Sequence, residues 1–226
     1  MPNRTRRDKA MAKPGSGSGM AKRRAERRRA ERRHSEERWA AILDAGSEVF
    51  RRLGYSQATL EDVAREVGIN RATLYYYVAD KEELLIAMLD EPIHRMTTDL
   101  RAIAELDASP TERLHRAILQ HMRALDDNYP ELFVFLAENL HLLTIGSDRD
   151  IQANARAYGD VMTTLIEDGI KAGEFRRDLD PRLVMLGVIG MLNWSHRWFT
   201  PDGNRTLTEI GEEYSALVLQ GLRAQP

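Results

Sequence analysis

Hydrogen-bond donors are concentrated in residues 68–84, GINRATLYYYVADKEEL, where the donor side chains include Arg71, Thr73, Tyr75, Tyr76, Tyr77 and Lys81. A guanidinium can pair bidentately with guanine, and a threonine can donate a hydrogen bond or offer its methyl group to thymine. Successive helical positions lie about 100° apart, so three consecutive tyrosines cannot all face a core. Phenol hydroxyls and a lysine ammonium suit phosphate oxygens, which fix register rather than sequence. The segment therefore has the chemistry to contact nucleic acid.

Two short helices must position these donors. Thr59 is a good N-cap for the first helix, and its hydroxyl lies beside free backbone N–H groups that favour an anion. Gly68 marks the turn, and the next helix is expected over residues 71–77. Leu74 and Val78, four residues apart, can face a small core and leave the tyrosines on the exposed side. This pattern predicts a helix-turn-helix, whose second helix enters the major groove.

The charge distribution is uneven. Residues 1–33 contain 13 Lys or Arg against 3 Asp or Glu, whereas residues 34–226 contain 20 against 32. A basic arm on an acidic body indicates a polyanionic partner near the N-terminus, although PGSGSGM could also be an expression scar. Residues 34–90 carry 6 basic and 11 acidic side chains, so an interaction module with a solvated tyrosine face stays open as an alternative to DNA binding.

The rest of the chain reads as helix after helix. Leu, Ala, Glu and Arg dominate, alternating β-branched runs are absent, and N-cap signals at Asp80, Ser109, Asp180 and Thr206 open further helices. The fourth helix is expected to precede Pro92, and the eighth to run from Asp180-Pro181 to about Phe199. We count nine helices and no strand, an all-α fold.

Several function classes find no support in the sequence. There is no Cys, and the six His residues form no metal-ligand motif. No glycine-rich phosphate loop or nucleophile elbow is present. We expect no enzyme, no metal, no bound cofactor and no membrane association. The absence of Cys fits a reducing compartment, and a cytoplasmic location is expected.

The block TLEDVAREVGINRATLYYYVADKEELL resembles the signature of the TetR family of one-component repressors. With the preceding ILDAGSEVFRRLGYSQATL, the resemblance spans about residues 38–90. It implies a nine-helix protomer with a three-helix DNA-binding head, a variable ligand-binding body and a homodimer made chiefly by the last two helices. It also implies DNA contacts at Thr59, Arg71, Thr73, Tyr75, Tyr76, Tyr77 and Lys81. The third tyrosine position is often His in the family, so Tyr77 is a departure that can shift its phosphate contact.

This reading divides the chain into three parts. We expect a largely disordered basic arm at residues 1–33, a helix-turn-helix DNA-binding domain at 34–90 and a ligand-binding and dimerisation domain at 91–226. The last two helices each have a wide apolar face, which suits a four-helix interface between protomers. An ordinary intramolecular core is the alternative.

The segment NWSHRWFTPDG has the clearest ligand signal in the body. Asn193 with Arg197, and Trp194 with Trp198, are pairs at i,i+4 spacing, and aromatic planes beside an Arg suit an adenine or a phosphate. Together with the preceding DGIKAGEFRRDLDP, the segment resembles the C-terminal part of a TetR subgroup that includes regulators of fatty-acid and steroid-ring catabolism, over about residues 165–222. Members of this subgroup respond to acyl-CoA thioesters. Further candidate ligand contacts are Phe133, Glu138 and Met162. Alternatively, the tryptophans pack and Arg197 pairs with an acid such as Glu138.

The sequence thus predicts a dimeric repressor that binds a palindromic double-stranded operator and is released by a small-molecule effector. The first candidate for this effector is an acyl-CoA thioester. One alternative is a TetR-type regulator of a non-CoA lipophilic or aromatic ligand. Another is a sequence-neutral DNA binder acting through the basic arm. A third is a ligand-binding module that has lost DNA binding, to which the acidic head points.

Overall fold

The computed structural model describes residues 17–138 and 149–224, which form nine α-helices, one 3₁₀ turn and no strand. The α-helices are α1 (Gly17–Leu53), α2 (Leu60–Val67), α3 (Arg71–Tyr75), α4 (Lys81–Ala104), α5 (Pro110–Asp127), α6 (Glu131–Glu138), α7 (Arg149–Lys171), α8 (Pro181–Trp194) and α9 (Leu207–Leu222). The 3₁₀ turn, Ser195–Arg197, follows α8. These elements confirm the predicted all-α class.

The helix starts follow the cap residues in the sequence. Asp80, Ser109, Asp180 and Thr206 each accept a hydrogen bond from a backbone N–H in the first turn of the helix that follows. Such bonds satisfy donors that have no partner within the helix. Local sequence therefore determines where these helices begin.

The sequence pattern predicted that helix α4 ends before Pro92. The helix instead has 24 residues, Lys81–Ala104, and continues through the proline. A proline inside a helix removes one hydrogen bond and costs about 3 kcal/mol. Packing of α4 against α1, α5, α6 and α7 offsets this loss, and Leu89 and Leu100 on either side of the proline are fully buried. One helix about 36 Å long therefore connects the N-terminal helices to the rest of the protein.

Helix α1 also differs from expectation, because the basic arm is helical from Gly17 onward. Ala, Arg, Lys and Glu are strong helix formers, and extending an existing helix needs no new nucleus. The exposed pair Arg32–Glu36, at 3.8 Å, adds an i,i+4 contact. The prediction of a largely disordered arm was therefore wrong for residues 17–33, while residues 1–16 lie outside the described part.

The body is arranged around α5, which contacts α4, α7, α8 and α9. Its side chains Leu114, Ile118 and Met122 are fully buried. A single apolar core extends from the α1–α2 region to α9. No helix in the described ranges is long and apolar enough to cross a membrane.

Candidate functional site

The turn between α2 and α3 has the geometry that a helix-turn-helix requires. Gly68 ends α2 with φ of 73°, a left-handed conformation that favours glycine. Asn70 then caps α3, because its side-chain oxygen accepts hydrogen bonds from the Thr73 backbone N–H at 2.8 Å and the Thr73 hydroxyl at 2.9 Å. Leu74 is fully buried and anchors α3. The opposite face of α3 remains in solvent.

Arg71 lies on that exposed face at the start of α3. Its guanidinium forms an ion pair with Glu61 of α2 at 2.7 Å, donates to the Tyr75 hydroxyl at 3.2 Å and lies 5.1 Å from the Tyr75 ring centroid. The Tyr75 hydrogen bond, followed by the Glu61 charge, raises the pKa of Arg71. A nucleic-acid base at Arg71 would therefore replace Glu61 as the partner of the guanidinium.

The three tyrosines differ in their surroundings. Tyr76 is 85% exposed and Tyr75 is 41% exposed. Tyr77 is half-buried and stacks on Trp39 of α1, with ring centroids 5.9 Å apart. The sequence pattern predicted that all three lie on the exposed side, which is wrong for Tyr77 because α1 covers it. The contribution of Trp39 was missed, and its signal in the sequence was only an apolar position of α1.

Thr59 and Lys81 already have intramolecular partners. The Thr59 hydroxyl donates to Asp62 at 2.6 Å, and this bond is the largest cause of the lowered pKa of that carboxyl. The Lys81 ammonium donates to the carbonyl oxygens of Tyr55 at 2.7 Å and of Ser56 and Ala58 at 3.3 Å. Lys81 thus joins the start of α4 to the α1–α2 loop.

A buried polar network, which the sequence analysis missed, lies between α5, α7 and α8. His121 is 3% exposed; its Nδ1 is 3.0 Å from the Tyr158 hydroxyl and its Nε2 is 2.9 Å from the Asn193 side-chain oxygen. Burial lowers the pKa of His121 to about 4 and raises the pKa of Tyr158. Since the Asn193 oxygen only accepts, the neutral imidazole donates from Nε2 and accepts at Nδ1. Asn193, a predicted ligand contact, therefore serves this network.

The NWSHRWF segment does not continue α8. The α-helix ends at Trp194 and the 3₁₀ turn Ser195–Arg197 follows, so the predicted α-helix to about Phe199 is wrong. The Arg197 guanidinium carbon nevertheless lies 5.6 Å from the Trp194 ring centroid, and the Trp194 and Trp198 side chains are exposed. A cation and an aromatic plane are thus adjacent at the surface.

The other predicted ligand contacts are not gathered around this pair. Met162 is fully buried, and Phe133 is buried between Tyr129 and Phe199, with ring centroids 5.1 and 5.7 Å away. Glu138 ends α6, and its side chain lies outside the described part.

A cavity of about 790 Å³ lies between α4 and α5. Its lining includes none of the predicted ligand contacts; apolar members include Met96, Ile103 and Leu119, and its three basic members are Arg95, Arg116 and Arg123. Within the described residues, no group of three or more acidic or His side chains could hold a metal ion.

Two family models match the chain. The model described as "Bacterial regulatory proteins, tetR family" matches residues 42–88, which include α2, α3 and the start of α4. The model described as "Tetracyclin repressor-like, C-terminal domain" matches residues 107–222.

Individual proteins match over most of their length. The HTH-type transcriptional repressor KstR2 of Mycobacterium tuberculosis is 26% identical over 181 residues, covering 80% of this chain and 90% of the relative. The solved structure of the M. tuberculosis ketosteroid transcriptional regulator KstR2 matches with a TM-score of 0.72, 26% identity and coverage of 83% and 96%. A Bacillus subtilis FadR structure in complex with stearoyl-CoA has the same fold, at 23% identity, a TM-score of 0.66 and coverage of 82% and 100%.

Proposed function

Because the chain belongs to the TetR family of bacterial regulatory proteins, we propose that it is a ligand-responsive repressor that binds a palindromic operator as a homodimer. The observation that carries this proposal is the exposed face of α3, where Arg71, Tyr75 and Tyr76 lie beside a fully buried Leu74. We assign DNA binding to residues 34–90, and ligand binding and dimerisation to residues 91–226.

The proposed DNA contacts divide into two kinds. Arg71 and Thr73, near the start of α3, read base edges in the major groove. Phosphate contacts come from Tyr75, Tyr76 and the Thr59 hydroxyl at the α2 N-terminus. Phosphate contacts by Tyr77 and Lys81 stay predictions. Tyr77 would make its contact while stacked on Trp39, and Lys81 while bonded to the α1–α2 loop.

The proposed dimer interface lies on α8 and α9. Leu183 and Leu186 on α8 and Leu217 on α9 are more than half exposed, although large apolar side chains favour burial. A Cβ atom added at Gly187, Gly190 or Gly221 would meet no atom within 4 Å, which leaves room for a partner helix. Two protomers joined there would present their α3 helices to successive major grooves about 34–36 Å apart.

We propose an acyl-CoA thioester as the effector. In support, a Bacillus subtilis relative named "Fatty acid metabolism regulator protein" is 24% identical over 82% of this chain and 95% of its own length, and the stearoyl-CoA complex has the same fold. Arg197 beside Trp194 suits a phosphate next to an adenine ring. The remaining proposed ligand contacts, which have no such cation–aromatic pairing behind them, are Asn193, Trp198, Phe133, Glu138 and Met162. The α4–α5 cavity, which is large enough for a small ligand, is the competing position.

Effector binding must change the separation of the two heads, and α4 is the element placed to do so. It begins beside the α1–α2 loop at Lys81 and continues through Pro92 into the body. A second connection is the hydrogen bond from the Ser47 hydroxyl on α1 to the buried Glu131 carboxylate on α6. A ligand that binds one arrangement of α4 more tightly shifts the population and weakens DNA binding by the same coupling energy.

A thermal-shift screen followed by operator release tests the proposal. Medium-chain, long-chain and steroid-ring acyl-CoA thioesters are compared with free CoA and the free acids, and a selective ligand raises the melting temperature by mass action. Arg197→Ala and Arg123→Ala then distinguish the Trp194 position from the α4–α5 cavity. If no thioester stabilises the protein, a non-CoA lipophilic or aromatic effector replaces it. If saturating effector leaves operator affinity unchanged, the release mechanism is wrong.

A further inference from the structure

The N-terminal extension of α1 is a basic helix that the helix-turn-helix does not account for. Residues 17–33 contain 8 Lys or Arg and 2 Asp or Glu, and α1 is helical throughout this stretch. By the rise of an α-helix, it projects about 33 Å beyond Trp39, which is close to one turn of B-DNA. The extension is thus a preformed cationic rod attached to the head.

The arginines near the head form two adjacent rows on one side of this rod. Arg28 and Arg32 are four residues apart, as are Arg29 and Arg33, and such spacing aligns side chains along a helix. All four side chains are exposed. Among the described side chains, Arg32 pairs with Glu36, whereas Arg28, Arg29 and Arg33 form no ion pair with an acid.

The row of Arg28 and Arg32 lies on the side of α1 that faces the end of the helix-turn-helix, and the row of Arg29 and Arg33 is rotated from it by about 100°. Arg28 and Arg32 precede Trp39 by eleven and seven residues, spacings that return to one helix face. Trp39 stacks on Tyr77, and Tyr77 meets the largely exposed Tyr76 edge-on at 5.5 Å. The basic rows therefore begin about 10 Å along α1 from the aromatic cluster next to the proposed phosphate contacts.

We propose that this extension is a second DNA-binding element, which contacts phosphates of the duplex flanking the operator without reading its sequence. The proposal rests on the proposed repressor function, because the head places the extension next to DNA. Charge complementarity selects a polyanion, and the position of Arg28 and Arg32 on the Trp39 face of α1 selects the same duplex that α3 contacts. Residues 34–90 carry a net negative charge, so the extension supplies the attraction that the head lacks.

The test replaces Arg28, Arg29 and Arg33 together with Gln, which keeps helix propensity and removes three charges. The matched control makes the same replacement at three exposed basic residues of the body, Lys171, Arg177 and Arg205. Binding is measured on a duplex that the wild-type protein selects from a random library. The duplex is used with only the selected core and with about 10 additional base pairs, one helical turn, on each side.

We expect the arginine variant to bind the long duplex roughly tenfold or more weakly and to match wild type on the core duplex. Because the variant dimer has about six fewer cations against phosphate, the slope of log affinity against log salt becomes less steep by about 5. The body control behaves as wild type on both duplexes. Circular dichroism checks that the variant retains its helix.

Equal binding of wild type and the arginine variant to the long duplex would overturn the proposal. An equal loss on both lengths would also overturn it, because the contacts would then lie within the operator. A wild-type protein without preference for the selected core over a scrambled one would refute the repressor function instead. The same length comparison on the scrambled duplex then decides the role of the extension by itself.

Discussion

The indole of Trp39 on α1 stacks on the phenol ring of Tyr77, with their planes inclined by only 12°, while Tyr76 beside it is 85% exposed. Two consecutive tyrosines thus have different tasks. Tyr77 holds the end of the helix-turn-helix against α1, and Tyr76 presents its hydroxyl to solvent. Such a division makes each residue's contribution separable by mutation.

Tyr76→Phe removes only an exposed hydroxyl and should leave the free energy of unfolding unchanged. DNA affinity should fall by a factor of about 2 to 10, the effect of one hydrogen bond of ordinary strength. Tyr77→Ala removes a ring that packs on Trp39, and it should lower the free energy of unfolding by about 2 kcal/mol or more. Urea denaturation and fluorescence anisotropy measure the two quantities. A Tyr76→Phe protein that is strongly destabilised would contradict the division.

Lys81→Met should destabilise the protein even without DNA. The ammonium donates to three carbonyl oxygens of the α1–α2 loop, and hydrogen bonds to charged groups contribute about 1.5–3 kcal/mol. Lys171→Met is the control, because Lys171 has only exposed ion pairs, at 3.4 and 3.9 Å, which contribute at most about 1 kcal/mol. If both variants are equally stable in urea and only Lys81→Met loses DNA affinity, Lys81 contributes a phosphate contact and does not stabilise the α1–α2 loop.

The buried His121 should make stability depend on pH in the mildly acidic range. Burial lowers its pKa from 6.5 to about 4. Between these pH values the imidazole is protonated in the unfolded chain and neutral in the folded protein. Stability is therefore complete above pH 6.5 and decreases as the pH falls toward 4, by about 3 kcal/mol in total.

Urea denaturation at pH 7 and pH 5 measures this loss, of which about 2 kcal/mol should have appeared at pH 5. In His121→Gln, the free energy of unfolding should change less between pH 7 and pH 5, whatever the effect of the substitution on stability at pH 7. His34→Gln, at an exposed position of α1, should retain it. An unchanged slope in His121→Gln would assign the pH dependence to other groups.

Glu61→Gln should strengthen DNA binding several-fold. The carboxylate pairs with Arg71 at 2.7 Å, so its removal frees the guanidinium and takes a negative charge away from the proposed DNA-contacting surface. Glu66→Gln is the matched control on α2, because Glu66 pairs with Arg52 at 2.9 Å. The excess gain of Glu61→Gln should vanish when Arg71 is Ala, which a double-mutant cycle by anisotropy measures. If both Gln variants gained the same DNA affinity, the gain would come from the lower net negative charge and not from the release of Arg71.

Leu186→Asp should convert the proposed dimer into a monomer, since a charge on the exposed α8 face would be buried without a partner in the proposed interface. Leu53→Asp, at an exposed position of α1, should leave the dimer intact. Sedimentation velocity gives the oligomeric state, and operator affinity should fall only for the monomeric variant. A dimer that survives Leu186→Asp would place the interface elsewhere.

Sequence reasoning succeeded where the determining interactions are local. The caps at Thr59, Ser109 and Thr206 each accept a hydrogen bond from the backbone N–H three positions further along the chain, and Gly68 supplies the left-handed turn before α3. Apolar spacing at three and four residues then identified the helices, and the α2–α3 pattern identified the family. These signals need no knowledge of distant residues.

Where sequence reasoning failed, interactions between distant residues decided the outcome. Pro92 stays inside α4 because neighbouring helices compensate for the missing hydrogen bond, and Tyr77 is covered because α1 brings Trp39 to it. Asn193 bonds to His121, 72 residues away, and not to an open pocket. The sequence by itself determined the all-α class, the helix caps, the family and the basic charge of the N-terminal extension. Only the tertiary structure decided which polar and aromatic side chains are free to bind, because burial and partnership depend on packing across the whole chain.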